Sequence, residues 1–286
     1  MNAVTIPGIH VTAVTDALLE TAEDRADALA IITPTQFHHE IAIRCLKKGK
    51  HIFIEKPIAQ NVNEAEEIVR LSKEKKIIGQ VGHVERFNPA FNSIKKIIGN
   101  PMFIESHRLS EFNPRGTDVS VVLDLMIHDI DIILSIIDSP IKSINANGTK
   151  VVSVSPDIVN ARIEFKNKCV ANLTASRISL KKMRKMRLFQ RDSYISIDFD
   201  KGSSEQVKIV DYDKTNKYAL TLKDSDGKLK EIKITNYKNQ NLNAIVEEHN
   251  DFYNSIIKKT NPEVSFKEGL KALEVAILIL NKINND

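Results

Sequence analysis

The chain has 286 residues, of which 42% are hydrophobic, and it carries a formal net charge of +4 at pH 7. This length suits one large domain or two closely packed ones, and the composition indicates a soluble globular protein with a sizeable core. The charge is too small for a committed nucleic-acid binder, but it is compatible with an anionic small molecule as partner.

No apolar run in the sequence reaches the roughly 18 to 20 residues that a bilayer requires. The first residues, MNAVTIPGIH, lack the basic and apolar regions of a signal peptide. A cytoplasmic location, without membrane or nucleic-acid partners, is therefore the default expectation.

Short β-rich runs alternate with helical ones between residues 27 and 82, which is the pattern of a doubly wound parallel sheet covered by helices. In chain order the pattern predicts a strand at 28–32, a helix at 36–48, a strand at 51–55, a helix at 62–76 and a strand at 77–82. Gly49 is expected to end the first of these helices. Asn61 or Asn63 is expected to cap the second.

After residue 100 the pattern becomes that of a mostly antiparallel sheet with helices. A strand at 102–109 precedes a helix at 119–137, and short alternating strands with turn signals such as NGT, KNK and SDGK follow from 141 to 236. Helices at about 241–258 and 266–283 end the chain. The fold class is therefore α/β plus α+β, divided near GHVERFNP, where Pro89 begins a helix.

Several polar residues follow the predicted parallel strands, at the edge of the sheet where doubly wound folds bind their ligands. They are Thr33, Pro34 and Thr35 after the first strand, Glu55 and Lys56 after the second, and His83 and Arg86 after the third. The first group leads into a helix N-terminus, where backbone N–H groups suit a phosphate. A solvated loop explains each residue taken alone, but three groups on one edge favour a ligand site.

Asp124 and His128 lie four residues apart on the predicted helix 119–137, so that both project from one face. An aspartate in this position can orient the imidazole and support its protonated form. A histidine suits proton transfer near neutral pH. The alternative is a polar stripe on an ordinary helix, since Asp129 and Asp131 lie nearby.

Metal and thiol chemistry are less well supported. Cys45 and Cys169 lie far apart and in no paired ligand spacing, and we interpret both as buried small hydrophobes rather than reactive thiols. A metal site of His38, His39 and His128 is disfavoured, because adjacent histidines on a helix face different ways and no carboxylate spacing completes the set.

The run KKMRKMRLFQR, residues 181–191, concentrates positive charge. It lacks the interleaved aromatic residues of a nucleic-acid site. Two interpretations stay open, a solvated strand edge and a set of phosphate contacts from Arg184, Lys185 or Arg187.

The segments TPTQFH, EKPIA, GHVERFNP and DLMIHDID follow one another in this order. Together they resemble the Gfo/Idh/MocA family of NAD(P)-dependent oxidoreductases, most of which act on sugars, nucleotide sugars and polyols. The similarity runs from about residue 10 to the C-terminus, and EKP joined to a downstream Asp-x-x-x-His is a strong signature. The stretches GHVERFNPAF, FNPRGTDVSVVLDLMIHDIDIILSII and RKMRLFQRDSYISIDF are similar to the branch that oxidises the 3-hydroxyl of UDP-N-acetylglucosamine, a step toward amino-sugar lipid A.

The resemblance implies a dinucleotide-binding domain over residues 1–86 and a domain for substrate binding and oligomerisation over residues 87–286. It implies that Lys56 hydrogen-bonds the reacting hydroxyl, that His128 takes its proton, and that Asp124 orients substrate and base. This assignment agrees with the chemistry, because a carbinol that loses hydride needs both a base and a cation beside the developing alkoxide.

The resemblance also implies the residues that line the ligands. Those for the cofactor are Thr33, Pro34, His38, Glu55, Lys56 and Arg86. Those expected for the nucleotide sugar are His107, Arg108, Asn113, Arg115 and Arg187, whose basic character suits a diphosphate. NAD is the expected cofactor, with NADP not excluded, and a homo-oligomer, a dimer or tetramer, is expected through an apolar face of the large sheet.

The sequence departs from the family at its start. The family opens with a strand, a Gly-x-Gly-x-x-Gly turn, a helix and a strand that ends in an acidic residue, and none of these is present here. HVTAVTD matches the usual third strand, so we expect a shortened or incompletely recorded Rossmann-like domain, with a gap beside ALAII and weak cofactor binding if the chain starts at Met1. The competing hypothesis is a non-catalytic binding or assembly protein that has lost its cofactor half.

Overall fold

The computed structural model describes residues 4–6, 9–14, 26–113, 119–216, 218–238 and 242–284. The chain divides into two compact units. The first comprises Met1–Phe87, Val122–Leu134 and Asn243–Asp286, and the second comprises Asn88–Val121 and Ser135–Leu242. The sequence-based division at residue 86 differs from this one, because residues 122–134 and the two C-terminal helices pack with the first unit.

The strands of the first unit that the structure describes form one sheet of five, in the order β1-β2-β3-β4-β5. They are β1 Val4–Ile6, β2 Ile9–Val14, β3 Ala28–Ile31, β4 His51–Glu55 and β5 Gly79–Gly82. β1 and β2 are antiparallel, and the other neighbours are parallel. Every residue of β3 is buried, which is the pattern of a strand covered on both faces.

The expectation of a gap in the sheet beside β3 is wrong. β2 pairs with β3 in parallel from Val11↔Ala28 to Val14↔Ile31, and β4 pairs with its other side. The expectation assumed the strand order of longer family members, in which other strands separate these two. In this chain β2 supplies the partner, so the backbone groups of β3 are paired on both sides.

The second sheet has nine strands within the described ranges, in the order β13-β14-β12-β11-β10-β6-β9-β8-β7. They are β6 Phe103–Leu109, β7 Ile141–Thr149, β8 Ile158–Phe165, β9 Val170–Ser176, β10 Met183–Gln190, β11 Ser193–Asp198, β12 Ser203–Asp211, β13 Leu220–Lys223 and β14 Leu229–Lys238. Neighbours are antiparallel except β6 and β9, which are parallel. The predicted α/β plus α+β class with a mostly antiparallel second sheet is confirmed.

The α-helices in the described part of the chain are α1 His38–Lys47, α2 Val62–Lys75, α3 Pro89–Ile94, α4 Ile127–Ile136, α5 Ala244–Lys258 and α6 Phe266–Asn284. A 3-10 turn, Thr35–Phe37, precedes α1, another forms Val84–Phe87, a third forms Lys95–Ile97, and a π-helical turn, Val122–Met126, precedes α4. None of the helices in these ranges is long and apolar enough to cross a membrane.

The caps explain where the helices of the first unit begin and end. The side chain of Asn61, rather than that of Asn63, caps α2 by accepting from the backbone N–H of Glu64 at 3.0 Å. After α1 the chain turns at Gly49, whose φ of +75° is a conformation that favours glycine.

The core of the first unit lies between its sheet and helices α1, α2 and α6. Leu29, Ile52 and Val81 of the sheet pack with helical residues such as Ile68 and Leu273 in one buried cluster. Helix α6 approaches β5 closely because both carry glycine at the contact. A Cβ at Gly79 would overlap the ring of Phe266, and one at Gly269 would overlap the side chain of Val81.

We predict that Gly79→Ala destabilises the protein by about 1–3 kcal/mol, because the added methyl group forces the buried Phe266 ring out of its place. Urea unfolding measures the change. Gly99→Ala is the control, since a Cβ there meets nothing closer than 3.7 Å. Equal stabilities of the two variants would contradict the close approach of α6 and β5.

Candidate active site

Lys56 directly follows β4, whose residues Ile52, Phe53 and Ile54 are buried and fix the end of the strand. The peptide bond between Lys56 and Pro57 is cis. The ammonium group of Lys56 donates to Asp124 twice, to the carbonyl oxygen at 2.7 Å and to Oδ1 at 2.9 Å. The Lys56 side chain is 20% exposed and that of Asp124 is 53% exposed. A cation is therefore held in place at the edge of the sheet while one of its acceptors stays open to solvent.

Asp124 lies in the π-helical turn Val122–Met126 rather than in an α-helix. In a π-helical turn the backbone hydrogen bonds join residues five positions apart. Such turns occur often at functional sites. The sequence predicts Asp124 as a partner of His128 through ordinary helical spacing. The structure shows Lys56 as a partner of Asp124, which spacing along one helix cannot reveal.

His128 is the second residue of α4, and its ring lies next to that of a second histidine, His83. Their ring centroids are 6.0 Å apart and their planes are nearly perpendicular, at 89°. His83 is buried, and among the residues that the structure describes neither of its ring nitrogens has a hydrogen-bond partner. Burial lowers the pKa of His83, and the nearby charges of Arg86 and Lys56 lower it further, against the opposing effect of Asp131. His83 is therefore neutral near pH 7.

The segment that follows β3 carries the residues expected to line the cofactor. Pro34 is exposed. The hydroxyl of Thr33 is buried and has no hydrogen-bond partner within the described ranges. His38 lies beneath this segment, almost fully buried, with its ring nitrogens 2.9 Å from the carbonyl oxygens of Thr33 and Pro57. Its neighbour His39 instead contacts Glu67 at 2.8 Å.

Glu55 closes β4 beside this segment. A Cβ at Gly82 would lie 2.9 Å from its Oε2 atom, so the carboxyl group packs against the backbone of β5. Burial raises the pKa of Glu55, whereas the backbone N–H and the charge of Lys56 and the charge of His38 lower it. Perturbed carboxyl groups of this kind mark functional sites, although buried ion-pair networks also produce them.

Arg86 differs from the sequence-based expectation of a cofactor contact. Its guanidinium is buried and donates to both carboxylate oxygens of Asp131, from Nε at 2.7 Å and from Nη2 at 3.2 Å. Nη1 donates to Glu263 at 3.2 Å. Asp131, which the sequence presents only as part of a polar stripe, is therefore the buried partner of a fixed cation.

Glu248 is a buried acid in α5 that the sequence-based site does not include. It is 2% exposed, and its Oε1 has no hydrogen-bond partner among the described residues. Burial raises its pKa to about 9, with further increases from the charges of Glu55, Asp131 and Asp251. The signal in the sequence is its spacing, because Glu248 precedes the buried Phe252 by four residues and so shares the apolar face of the helix.

The residues expected for the nucleotide sugar belong to the second unit, and the structure divides them between the two faces of its sheet. His107 and Arg187 lie on one face, where Arg187 donates to Glu105. Arg108 lies on the other, buried, with its guanidinium 5.8 Å from the ring centroid of Phe199. Asn113 follows β6 and is exposed. Arg115 lies outside the described residues.

The face with His107 and Arg187 contains an open groove of about 490 Å³. Its lining residues are Glu105, His107, Leu109, Met183, Lys185, Arg187, Tyr194 and Ser196. Acidic residues on neighbouring strands balance part of the basic run 181–191, because Lys185 lies 3.5 Å from Asp198 and Arg187 pairs with Glu105.

The described part of the chain offers little support for metal binding or for a reactive thiol. It contains no group of three or more His, Cys, Asp or Glu side chains arranged to hold a metal ion. Cys45 and Cys169 are buried thiols. Burial raises the pKa of Cys169 to about 11, which suppresses its thiolate form.

Two family models match the chain. Residues 4–83 match the model described as oxidoreductase family, NAD-binding Rossmann fold, and residues 93–205 match the GFO/IDH/MocA C-terminal domain.

Curated relatives and a solved structure carry the same signal. The chain is 36% identical over 185 residues, 64% of its own length, to UDP-N-acetylglucosamine 3-dehydrogenase of Acidithiobacillus ferrooxidans. It is 30% identical over 176 residues, 56% of its length, to scyllo-inositol 2-dehydrogenase (NAD(+)) of Bacillus subtilis. These alignments span 58% and 52% of the two relatives. A crystal structure of the Acidithiobacillus ferrooxidans enzyme superposes with a TM-score of 0.83 at 26% identity, covering 93% of this chain and 82% of the other.

We predict that Arg86→Ala lowers the free energy of unfolding by about 3–5 kcal/mol, because it leaves the buried Asp131 carboxylate without its cation. The matched control is Arg70→Ala, whose exposed ion pair with Glu74 in the same unit is worth about 0.5 kcal/mol or less. Urea unfolding measures both. A small effect of Arg86→Ala would mean that the guanidinium is free to serve a ligand instead.

We also predict that the free energy of unfolding of Glu248→Gln, relative to that of the wild type, increases as the pH rises. The folded-state pKa of Glu248, about 9, lies above the unfolded value of about 4.3. Its stabilising contribution is complete below the unfolded pKa and is lost as the pH rises toward the folded one. The gain is therefore at most about 1.4 kcal/mol per pH unit between these values. Unfolding at pH 5.5, 7 and 8.5 tests it, and a difference that does not change with pH would contradict the raised pKa.

Proposed function

We propose that this chain, which belongs to the Gfo/Idh/MocA family of NAD-binding oxidoreductases, transfers a hydride from a sugar carbinol carbon to a nicotinamide cofactor. The observation that carries the proposal is the clamp of Lys56 onto Asp124, with His128 on the same helical segment of the same unit. Oxidation of an alcohol needs a cation and a base side by side, and these residue types supply both.

The proposed chemistry assigns one task to each side chain. The ammonium group of Lys56 donates to the substrate oxygen and stabilises the negative charge that develops on it as the C–H bond breaks. A neutral His128 takes the hydroxyl proton, so that the C–O single bond becomes a carbonyl while hydride, with both electrons of the C–H bond, leaves the carbon. Asp124 fixes the position of the Lys56 ammonium group through two oxygens.

The residues at the edge of the first sheet fit a nicotinamide dinucleotide, which supplies the hydride acceptor when it is bound. The buried Thr33 hydroxyl, without a partner among the described residues, provides one polar group for it. In this proposal Thr33, Pro34 and Glu55 line the cofactor beside Lys56. The side chain of His38 contacts the carbonyl oxygens of Thr33 and Pro57, and that of Arg86 is bonded to Asp131 and Glu263.

The proposed substrate is a nucleotide sugar, specifically the 3-hydroxyl of a UDP-N-acetylhexosamine on the route to amino-sugar lipid A. The supporting finding is the 36% identity to UDP-N-acetylglucosamine 3-dehydrogenase. His107 and Arg187 lie on the sheet face opposite Arg108 and cannot contact the same diphosphate, so the proposed contacts to its uridine diphosphate are Arg108, Asn113 and Arg115. Inositols are the comparison substrates, because relatives named as inositol dehydrogenases also align with the chain.

The alternative is a non-catalytic binding or assembly protein. The absence of a Gly-x-Gly-x-x-Gly turn from the sequence is its support. It leaves unexplained why one chain carries Lys56, Asp124 and His128 together and why Lys56 donates to two oxygens of Asp124. We therefore favour the oxidoreductase.

We further propose a homo-oligomer that forms through the open face of the second sheet, and a cytoplasmic location. The rings of Phe103, Phe189 and Tyr194 pack against one another at steep angles across three strands of this face, with centroid separations of 5.9 and 5.1 Å. Ile234 lies on the same face and is 51% exposed. Apolar groups of this extent usually mark an interface.

We predict that Lys56→Met and His128→Asn each lower kcat for oxidation of UDP-N-acetylglucosamine by about 10²-fold or more, because one removes the cation and the other the base. Absorbance of the reduced cofactor measures turnover. Lys47→Met and His39→Asn are the controls, since Lys47 is an exposed residue at the C-terminal end of α1 and His39 contacts Glu67. Activity within a few-fold of wild type in either site variant would refute the assignment of that residue.

We predict that light scattering gives the mass of a dimer or tetramer, and that Phe189→Glu yields a monomer by placing a charge in the apolar face. A wild-type protein that is wholly monomeric would contradict this interface.

A further inference from the structure

His38, the first residue of α1, connects the two segments that carry the candidate site. Its Nε2 lies 2.9 Å from the carbonyl oxygen of Thr33, and its Nδ1 lies 2.9 Å from the carbonyl oxygen of Pro57. The first of these carbonyls belongs to the segment after β3 and the second to the segment after β4. One imidazole therefore joins two loops that have no sequence proximity.

The geometry makes His38 more than a space-filling residue. It is 1% exposed, and carbonyl oxygens only accept hydrogen bonds, so both contacts are hydrogen bonds when each ring nitrogen carries a proton. A buried carbonyl that loses its donor pays the desolvation cost of an unsatisfied group. Both loops consequently depend on this ring for part of their position.

The Pro57 contact lies next to Lys56. The position of the Lys56 backbone is set on one side by β4 and on the other by Pro57, whose carbonyl oxygen His38 holds. The reach of Lys56 to both oxygens of Asp124 depends on that position. A displacement of about 1 Å at a catalytic group is enough to lower turnover about 10²-fold.

We propose that His38 is a positioning residue that sets the Lys56–Asp124 clamp through its bond to the Pro57 carbonyl, while its bond to Thr33 holds the neighbouring loop. The two bonds have separate consequences. The Nδ1 bond controls Lys56, and the Nε2 bond controls the segment at Thr33. A purely structural histidine would not divide its effects in this way.

Three variants separate the two bonds. The amide nitrogen of asparagine occupies the place of Nδ1 and that of glutamine the place of Nε2, so His38→Asn keeps a donor toward Pro57 and His38→Gln keeps one toward Thr33. His38→Phe keeps a ring of similar size and removes both donors. His39→Gln is the matched control, because this adjacent residue contacts Glu67 and neither loop.

The readout is the reactivity of Lys56 in the protein alone, without cofactor or substrate. Trace acetylation followed by peptide mass spectrometry gives the labelling rate of Lys56 relative to the exposed Lys47 in the same molecule. Urea unfolding of each variant corrects for globally unfolded protein. Because no turnover is measured, a failure of the proposed dehydrogenase activity leaves this result unaffected.

We expect the relative labelling rate of Lys56 to rise about fivefold in His38→Gln and His38→Phe, which is the loosening that one lost hydrogen bond allows. His38→Asn and His39→Gln should remain within about twofold of wild type on the same basis. Equal rates in His38→Asn and His38→Gln, whether raised or unchanged, would overturn the proposal. If His38→Phe does not fold, the comparison of Asn with Gln still decides.

Discussion

The candidate site depends on how one ammonium group is held. Lys56 leaves the end of a buried strand and donates to two oxygens of a single residue, Asp124. This arrangement requires β4 to end at Glu55, directly before Lys56. The buried residues 52–54 hold the strand in the sheet up to that point. The arrangement also requires the π-helical turn at Val122–Met126, which presents the carbonyl and the carboxylate of Asp124 to the same donor.

Acidic side chains are buried in the interior of the first unit, among them Asp131 and Glu248. Asp131 is neutralised by Arg86, and Glu248, with a pKa of about 9, is protonated near neutral pH. His83 is neutral because burial disfavours its charged form. Lys56, which is 20% exposed and bonded to Asp124, is therefore a cation whose acid partner lies at the surface rather than among these buried groups.

Much of the first unit follows from periodicity. The strands and helices between residues 27 and 82 were predictable because buried parallel strands and amphipathic helices leave different spacings of apolar residues. Lys56 and Thr33 were predictable as site residues because the carboxyl ends of parallel strands share one edge. Asn61 and Gly49 mark their helix ends through capping chemistry, which is local in sequence.

The remaining features depend on contacts that are distant in sequence. Nothing local shows that Arg86 meets Asp131, or that Lys56 reaches Asp124 across 68 positions. The pairing of Arg187 with Glu105 follows from strand register, because the two residues lie on neighbouring strands that are far apart in sequence. The neighbour of β3 was predicted wrongly because strand order is a property of the whole sheet and not of one strand.

Hydride transfer at this site is best decided by isotope transfer. UDP-N-acetylglucosamine carrying deuterium at C3 would be incubated with the protein and oxidised nicotinamide cofactor, and the cofactor recovered for mass spectrometry. The proposed chemistry predicts that the reduced cofactor carries the deuterium, since the C3 hydrogen leaves with both bonding electrons while His128 takes only the hydroxyl proton. Reduced cofactor without the label would place the oxidation at another carbon, and no reduced cofactor at all would contradict the dehydrogenase assignment.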